Sequence, residues 1–94
     1  MQISANLRLN MTGAEADPVL RAKRYQAAID MAAYADQLGF SSVNVEEHHA
    51  AHNGWLPSPL TMAAAIAART ERCSIGVMAL LVALYDPIRL AEDI

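Results

Sequence analysis

The chain has 94 residues, of which 54% are hydrophobic and 18% are charged, and its formal net charge is −3 at pH 7. This length allows one domain at most, and the hydrophobic content excludes a disordered polypeptide. The small negative charge and the scattered Lys and Arg residues argue against nucleic acid as a partner.

No segment of the sequence has the features of a signal peptide or a membrane span. The first residues, MQISANLRLN, lack the basic segment and the long apolar stretch of a signal peptide. The longest apolar run, Val77 to Tyr85, is far shorter than the ~20 residues that a membrane-spanning helix requires. The single cysteine, Cys73, cannot form an internal disulfide bond. We therefore expect a cytoplasmic protein in which Cys73 is a buried thiol.

The first half of the chain predicts a strand followed by a helix. Residues 2–9 alternate apolar and polar side chains, which is typical of a strand. Asp17-Pro18 then supplies a capping oxygen and a proline at the first helical position. A helical repeat follows to Leu38, and Gly39 is expected to end the helix. Its predicted buried face carries Ala28, Met31, Ala32, Ala35 and Leu38.

The second half repeats this order twice. Residues 42–46 predict a second strand, and Ser58-Pro59 begins a second helix. Residues 72–84, RCSIGVMALLVAL, predict a third strand, and Asp86-Pro87 begins a third helix.

The order β-α-β-α-β-α indicates an α/β protein with parallel strands joined by right-handed crossovers. Val43, Val45 and the nearly continuous apolar third strand fit a sheet that is buried on both faces. Three parallel strands leave two open sheet edges and cannot close a barrel. We therefore expect residues 1–94 to form the N-terminal, incomplete part of a larger α/β domain.

A cluster of acidic and imidazole side chains, NVEEHHAAHNGWLP, follows the second strand at residues 44–57. In parallel α/β proteins, ligands bind at the carboxyl ends of the strands. If the two valines of the strand face the helices, alternation places Glu46 and His48 on the opposite side. The pattern points to His48 as the residue directed at a ligand, with Glu47 and His49 in supporting roles.

Three interpretations of this cluster compete. A metal site would use His52 with His48 or His49, but the following Asn53-Gly54 breaks the helix that such spacing requires. A second interpretation is a solvated loop whose histidines form only local hydrogen bonds. The third, which we favour, is an acid–base site in which a neighbouring carboxylate fixes the tautomer of the imidazole. We accordingly expect no metal.

Two stretches, LGFSSVNVEEHH and IGVMALLVALYDPIRLAED, resemble the bacterial luciferase-like, flavin-dependent monooxygenases. The resemblance spans essentially the whole chain. It implies that residues 1–94 are the N-terminal part of a (β/α)8 TIM barrel that binds reduced FMN, or in some branches the deazaflavin F420. It also implies that O2 is used to oxidise a small organic substrate, with a flavin reductase as a possible partner. We expect a homodimer or another oligomer.

The resemblance also implies roles for individual residues. His48 would lie beside the flavin and take part in proton transfer, and Glu47 would orient it or complete the cofactor pocket. Met78 and Ala79 would contact the cofactor through a cis peptide bond.

Two residues of the loop after the second strand are further candidates for the substrate pocket. His49 would complete its wall, and Trp55 would either line its substrate side or act as a lid that packs on the second helix. Many relatives carry Leu-Pro where this chain has Val82-Ala83, so we expect a different path for the loop after the third strand.

A non-catalytic alternative is a barrel fragment or an inactive subunit. Such a chain would associate with another chain through its unpaired strand edges and the Ala-rich faces of its helices.

Overall fold

The computed structural model describes residues 4–13 and 17–94, which form three parallel strands and three α-helices. In chain order these are strand β1 (Asn6–Arg8), helix α1 (Pro18–Gln37), strand β2 (Ser42–Glu46), helix α2 (Pro59–Ala67), strand β3 (Ser74–Met78), a single 3-10 turn (Val82–Leu84) and helix α3 (Pro87–Asp93). The sheet order is β1-β2-β3, which confirms the predicted α/β class. None of the helices in these residues is both long enough and apolar enough to cross a bilayer.

The central strand β2 separates an apolar face of the sheet from a polar face. Val43 and Val45 are completely buried, whereas Ser42, Asn44 and Glu46 alternate with them and remain partly exposed. The core around the two valines also contains Leu9, Met11, Ala28, Ala32, Leu56, Met62 and Ile66. In the described part of the chain the helices therefore cover one face only. The opposite face, which carries the polar residues of β2, is partly exposed in the described residues.

Two strands are shorter than the sequence predicts. The predicted first strand includes Gln2 and Ile3, which lie outside the described residues, and β1 ends one residue early at Arg8. β3 ends at Met78 because the next residue, Ala79, has a φ of 58°, which is not an extended conformation. The predicted strand over residues 72–84 is therefore divided between β3 and the 3-10 turn.

The predicted helix boundaries agree closely with the structure. Asp17 caps α1 by accepting hydrogen bonds from two N–H groups of its first turn, at 2.9 and 3.2 Å, and Asp86 caps α3 at 3.0 Å. Gly39 follows α1 with a φ of 82°, the left-handed conformation of a C-terminal glycine. The predicted cap of α2, Ser58, makes no side-chain capping bond, so the start of that helix depends on Pro59.

The buried face of α1 differs from the predicted one. Met31 and Leu38 are exposed by 52% and 60%, whereas Ala28, Ala32, Ala35 and Asp36 are buried. The buried stripe is rotated towards Asp36 because that carboxylate is bonded to the loop between α2 and β3. A hydrophobic pattern alone does not reveal such a polar anchor.

Asp36 holds the loop before β3 with three backbone hydrogen bonds. Its oxygens accept from the N–H groups of Cys73 at 2.7 Å and of Glu71 and Arg72 at 3.0 Å each. The bonds from Cys73 and Glu71 lower the pKa of Asp36 from 3.8 to about 2, although burial acts in the other direction. Burial and the neighbouring Asp36 raise the pKa of the Cys73 thiol, which is partly exposed rather than fully buried as expected.

We expect Asp36→Asn to destabilise the protein at neutral pH. The two carboxylate oxygens of Asp36 accept three backbone hydrogen bonds, and the single amide oxygen of Asn can replace only some of them. The pKa of Asp36 in the folded protein lies below its ordinary value of 3.8. The stabilisation that the Asp36 carboxylate provides is therefore complete above pH 3.8 and is lost as the pH falls through about 2. Urea unfolding should therefore show a difference between wild type and variant that shrinks in this window. The exposed Asp30→Asn serves as the control, and a difference independent of pH would contradict the assignment.

Candidate active site

The polar face of the sheet carries a row of hydrogen-bonded side chains from β1 to β2. Asn44 Nδ2 donates to Ser42 Oγ at 3.0 Å, and Ser42 Oγ donates to Asn6 Oδ1 at 2.8 Å. The residue beside Asn44 on β3 is Gly76, where a Cβ atom would lie 2.3 Å from Asn44 Oδ1. Any side chain at position 76 would therefore clash with the side chain of Asn44.

His48 lies just beyond the carboxyl end of β2, and its ring is held on two sides. The ring stacks on Trp55 with centroids 3.5 Å apart and an interplanar angle of 26°. Its Nε2 lies 3.2 Å from Glu46 Oε2, and its backbone N–H donates to the Leu56 carbonyl at 2.9 Å. The side chain remains 36% exposed, so the imidazole is oriented and still accessible to a ligand.

Glu46 joins His48 to the first strand. One carboxylate oxygen accepts from the imidazole, and the other forms an ion pair with Arg8. The Glu46 side chain is 12% exposed, whereas that of Arg8 is 72% exposed. An ionised carboxylate only accepts hydrogen bonds, so this contact is a hydrogen bond when Nε2 of His48 carries the proton.

Glu47 points away from His48 and is buried among groups that follow β3. Its side chain has no exposed surface. Leu81 N–H donates to Oε2 at 2.7 Å, while Tyr85 Oη–H at 3.0 Å and His49 Nε2 at 2.6 Å donate to Oε1. The carboxylate therefore ties the end of β2 to the segment between β3 and α3.

This network determines the charge state of its members. Burial acts to raise the pKa of Glu47, but the hydrogen bonds from Leu81 N–H, His49 and Tyr85 outweigh it and lower the pKa from 4.5. Burial, followed by the adjacent Glu47 charge, raises the pKa of Tyr85 from 10.0. Near neutral pH the pair is thus a carboxylate and a neutral phenol, which is the combination that the hydrogen bond requires.

Met78 and Ala79 lie where β3 ends, next to the polar row. Met78 pairs with Glu46 in the parallel register and is 51% exposed. The described residues contain no cis peptide bond, so the expected cis bond between Met78 and Ala79 is wrong for this structure. The chain changes direction there through the positive φ of Ala79 instead.

The structure divides the predicted site residues into two groups. His48 and Trp55 line a cleft of about 160 Å³ between the loop after β2 and Arg21 and Tyr25 of helix α1. His49 lines a different cleft of about 280 Å³ together with Glu47, Tyr85 and residues of α2 and α3. His49 and Trp55 therefore do not share one pocket wall in the described residues.

The third histidine of the cluster, His52, is exposed on the same loop. Within residues 4–13 and 17–94, no three His, Cys, Asp or Glu side chains are grouped closely enough to hold a metal ion.

Two residues of the site were not assigned a role by the sequence. Alternation along β2 places Glu46 on the same side as His48, but the orienting role was assigned to the adjacent Glu47. Arg8 was treated only as a polar residue of the first strand. The strand register indicates both roles. Arg8 of β1 pairs with Asn44 of β2, and Asn44 lies two residues before Glu46, so the side chains of Arg8 and Glu46 lie on the same side of the sheet.

Comparison with known proteins gives a match to the luciferase-like monooxygenase family model over residues 6–94. Among curated relatives, the alkanal monooxygenase beta chain of Vibrio harveyi is 32% identical over 65 residues, which is 69% of this chain and 20% of the relative. The alkanal monooxygenase beta chain of Photobacterium leiognathi is 34% identical over 58 residues, covering 62% and 18% of the two chains. The chain thus spans about a fifth of the length of these relatives.

Solved structures give the same assignment. The oxygenating constituent of 3,6-diketocamphane monooxygenase from Pseudomonas putida, a type II Baeyer-Villiger monooxygenase in complex with FMN, matches with a TM-score of 0.83 and 25% identity, covering 100% of this chain and 25% of that one. Monooxygenase RslO1 from Streptomyces bottropensis matches with a TM-score of 0.78 and 33% identity over 99% of this chain and 28% of the other. The family model, the curated relatives and the structural matches agree, and the chain belongs to the luciferase-like monooxygenase family.

Proposed function

We propose that this chain is part of a flavin-dependent monooxygenase that uses reduced FMN and O2 to oxidise a small organic substrate. The observation that supports this most strongly is the accessible His48 imidazole, held by Trp55 and Glu46 at the carboxyl end of a parallel sheet. Active sites of parallel barrels lie at this end of the strands. The similarity to a monooxygenase constituent in complex with FMN adds independent support.

The residues around His48 fit the ring system of a flavin. The exposed Met78 side chain and the small Ala79 offer apolar surface next to a polar strand end, which suits a flat ring with polar edges. When bound, reduced FMN would supply two electrons for O2, so that one oxygen atom enters the substrate and the other leaves as water. Met78 and Ala79 would contact the ring, and His48 would approach its edge.

The role of His48 follows from its two ring nitrogens. Nε2 is bonded to Glu46, which leaves Nδ1 as the nitrogen that gives or takes a proton. Imidazole is the side chain best suited to proton transfer near neutral pH. Trp55 keeps the ring from rotating, so that the proton is delivered in one direction.

This proposal is tested by O2 uptake of the full-length protein with photoreduced FMN. The substrates are a series of alkanals and cyclic ketones, the classes that the names of the relatives suggest. We expect substrate-dependent O2 uptake and a product that carries one added oxygen atom. Substrate oxidation coupled to the reduction of oxidised F420, without activity with FMN, would assign the chain to the deazaflavin branch, and no product with either cofactor would contradict the proposal.

A non-catalytic subunit is the second candidate. Apolar side chains are exposed around the 3-10 turn and α3, namely Leu81, Val82, Leu84, Ile88 and Ile94. In addition, the relatives named above are beta chains of alkanal monooxygenases. Sedimentation of the full-length protein with and without FMN separates the two candidates. A homodimer or a monomer that binds FMN favours the enzyme, whereas an assembly without FMN affinity favours the subunit.

A further inference from the structure

Two carboxylate–imidazole pairs with the same spacing lie side by side at the end of β2. Glu46 bonds to His48, and Glu47 bonds to His49, each pair separated by one residue. The two imidazoles are exposed to similar extents, 36% for His48 and 42% for His49, so the pairs differ in their carboxylates, and the Glu46 side chain is 12% exposed. The Glu47 pair has a carboxylate with no exposed surface. The two pairs therefore have different surroundings despite their identical chemistry.

The buried carboxylate Glu47 is already bonded through both of its oxygens. Both oxygens of Glu47 accept bonds from within the chain, from Leu81 N–H, Tyr85 and His49. Glu47 therefore acts on the segment after β3 and not on His48. If a carboxylate orients His48, it has to be a different one.

Glu46 meets the geometric requirements for that role. One of its oxygens lies 3.2 Å from His48 Nε2, and the other is paired with Arg8, so the carboxylate is held from both sides. Trp55 covers one face of the same imidazole. The ring nitrogen of His48 that faces Glu46 is Nε2.

We propose that Glu46 is a positioning residue that fixes the Nε2–H tautomer of His48 and leaves Nδ1 as the nitrogen that exchanges a proton. This inference rests on the proposed function, in which His48 is the acid–base group. Arg8 pairs with the second oxygen of Glu46 and so holds the carboxylate in place. The role of orienting carboxylate passes from Glu47, which the family resemblance suggests, to the residue before it.

The test is the imidazole 15N spectrum of His48 in the full-length protein, compared between wild type, Glu46→Ala and Glu46→Gln. We expect wild type to show Nε2 protonated and Nδ1 unprotonated. Glu46→Ala should give a mixture of both tautomers, and Glu46→Gln should do so as well, because an amide can donate or accept at this position. Glu92→Ala on α3 is the matched control and should leave the spectrum unchanged.

Turnover provides the second measurement. We expect Glu46→Ala to lower kcat about 10- to 100-fold with little change in KM, because the proton-transfer geometry is lost while substrate contacts remain. Glu46→Asp should recover part of this loss, provided that the shorter carboxylate restores the Nε2–H signal. A wild-type tautomer signal and wild-type kcat in both Glu46→Ala and Glu46→Gln would overturn the proposal.

The failure of this inference can be told apart from the failure of the proposed function. If His48→Ala retains full turnover, the acid–base role of His48 is wrong, whatever its tautomer. If His48→Ala is inactive but the Glu46 variants keep both signal and turnover, only the role of Glu46 is wrong.

Discussion

Replacing His48 by Ala in the full-length protein is expected to lower kcat by about 100- to 10,000-fold, the usual contribution of a positioned acid–base group. The imidazole is held by Trp55 and Glu46 at the strand end where a ligand would bind. Alanine removes the group that exchanges the proton and leaves the sheet beneath it intact. FMN affinity, measured by fluorescence titration, should change far less than kcat.

His52→Ala is the matched control, because His52 is an exposed histidine of the same loop. It should retain wild-type turnover within about twofold, as expected for a surface substitution away from the site. Unchanged turnover in His48→Ala would exclude His48 from catalysis. An equal loss in both variants would indicate damage to the loop rather than to an acid–base group.

Glu47→Ala is expected to have the largest effect on stability. The substitution removes the buried acceptor that Leu81 N–H, Tyr85 O–H and His49 share. Losing the acceptor costs roughly 1–3 kcal/mol for each donor, part of which is recovered where water replaces Glu47, so we expect a loss of about 2–4 kcal/mol. Chemical denaturation of the full-length protein measures it, and Glu92→Ala is the control.

The same carboxylate makes stability depend on pH. The pKa of Glu47 in the folded protein lies below its ordinary value of 4.5, so its contribution is complete above that pH. The contribution is lost as pH falls through the lowered folded-state pKa, because the folded state then binds the proton less readily than the unfolded state. The difference between wild type and Glu47→Ala should therefore decrease on acidification. A difference that grows with acidification would contradict the role of Glu47 as an ionised acceptor.

Most element boundaries were predictable because they depend on local chemistry. The Asp17-Pro18 and Asp86-Pro87 pairs set the starts of two helices, and Gly39 ends the first one. The end of β3 was not predictable from periodicity, because apolar residues continue through the segment that becomes the 3-10 turn. The strand ends there through the backbone conformation of Ala79, which hydrophobicity does not encode.

Alternation predicted that Glu46 and His48 share one side of the strand, and their contact at 3.2 Å agrees with it, but the pairings of the cluster were not predictable. Alternation along β2 indicated the side on which His48 lies, since each residue reverses the direction of its side chain. Two adjacent glutamates and two adjacent histidines allow several pairings, and sequence order does not choose among them. The choice is made by Arg8, which holds Glu46, and by Tyr85, which holds Glu47. Tyr85 comes from a distant part of the chain, and Arg8 lies on another strand.

The most direct measurement is a crystal structure of the full-length protein with FMN bound. We expect the flavin ring to lie against the polar face at the strand ends, with its nearest atom within about 4–5 Å of the His48 imidazole and Met78 in contact with the ring. Nδ1, rather than the Nε2 that faces Glu46, should be the ring nitrogen nearer to the flavin. FMN bound on the helical side of the sheet, or more than about 8 Å from His48, would contradict the proposed site.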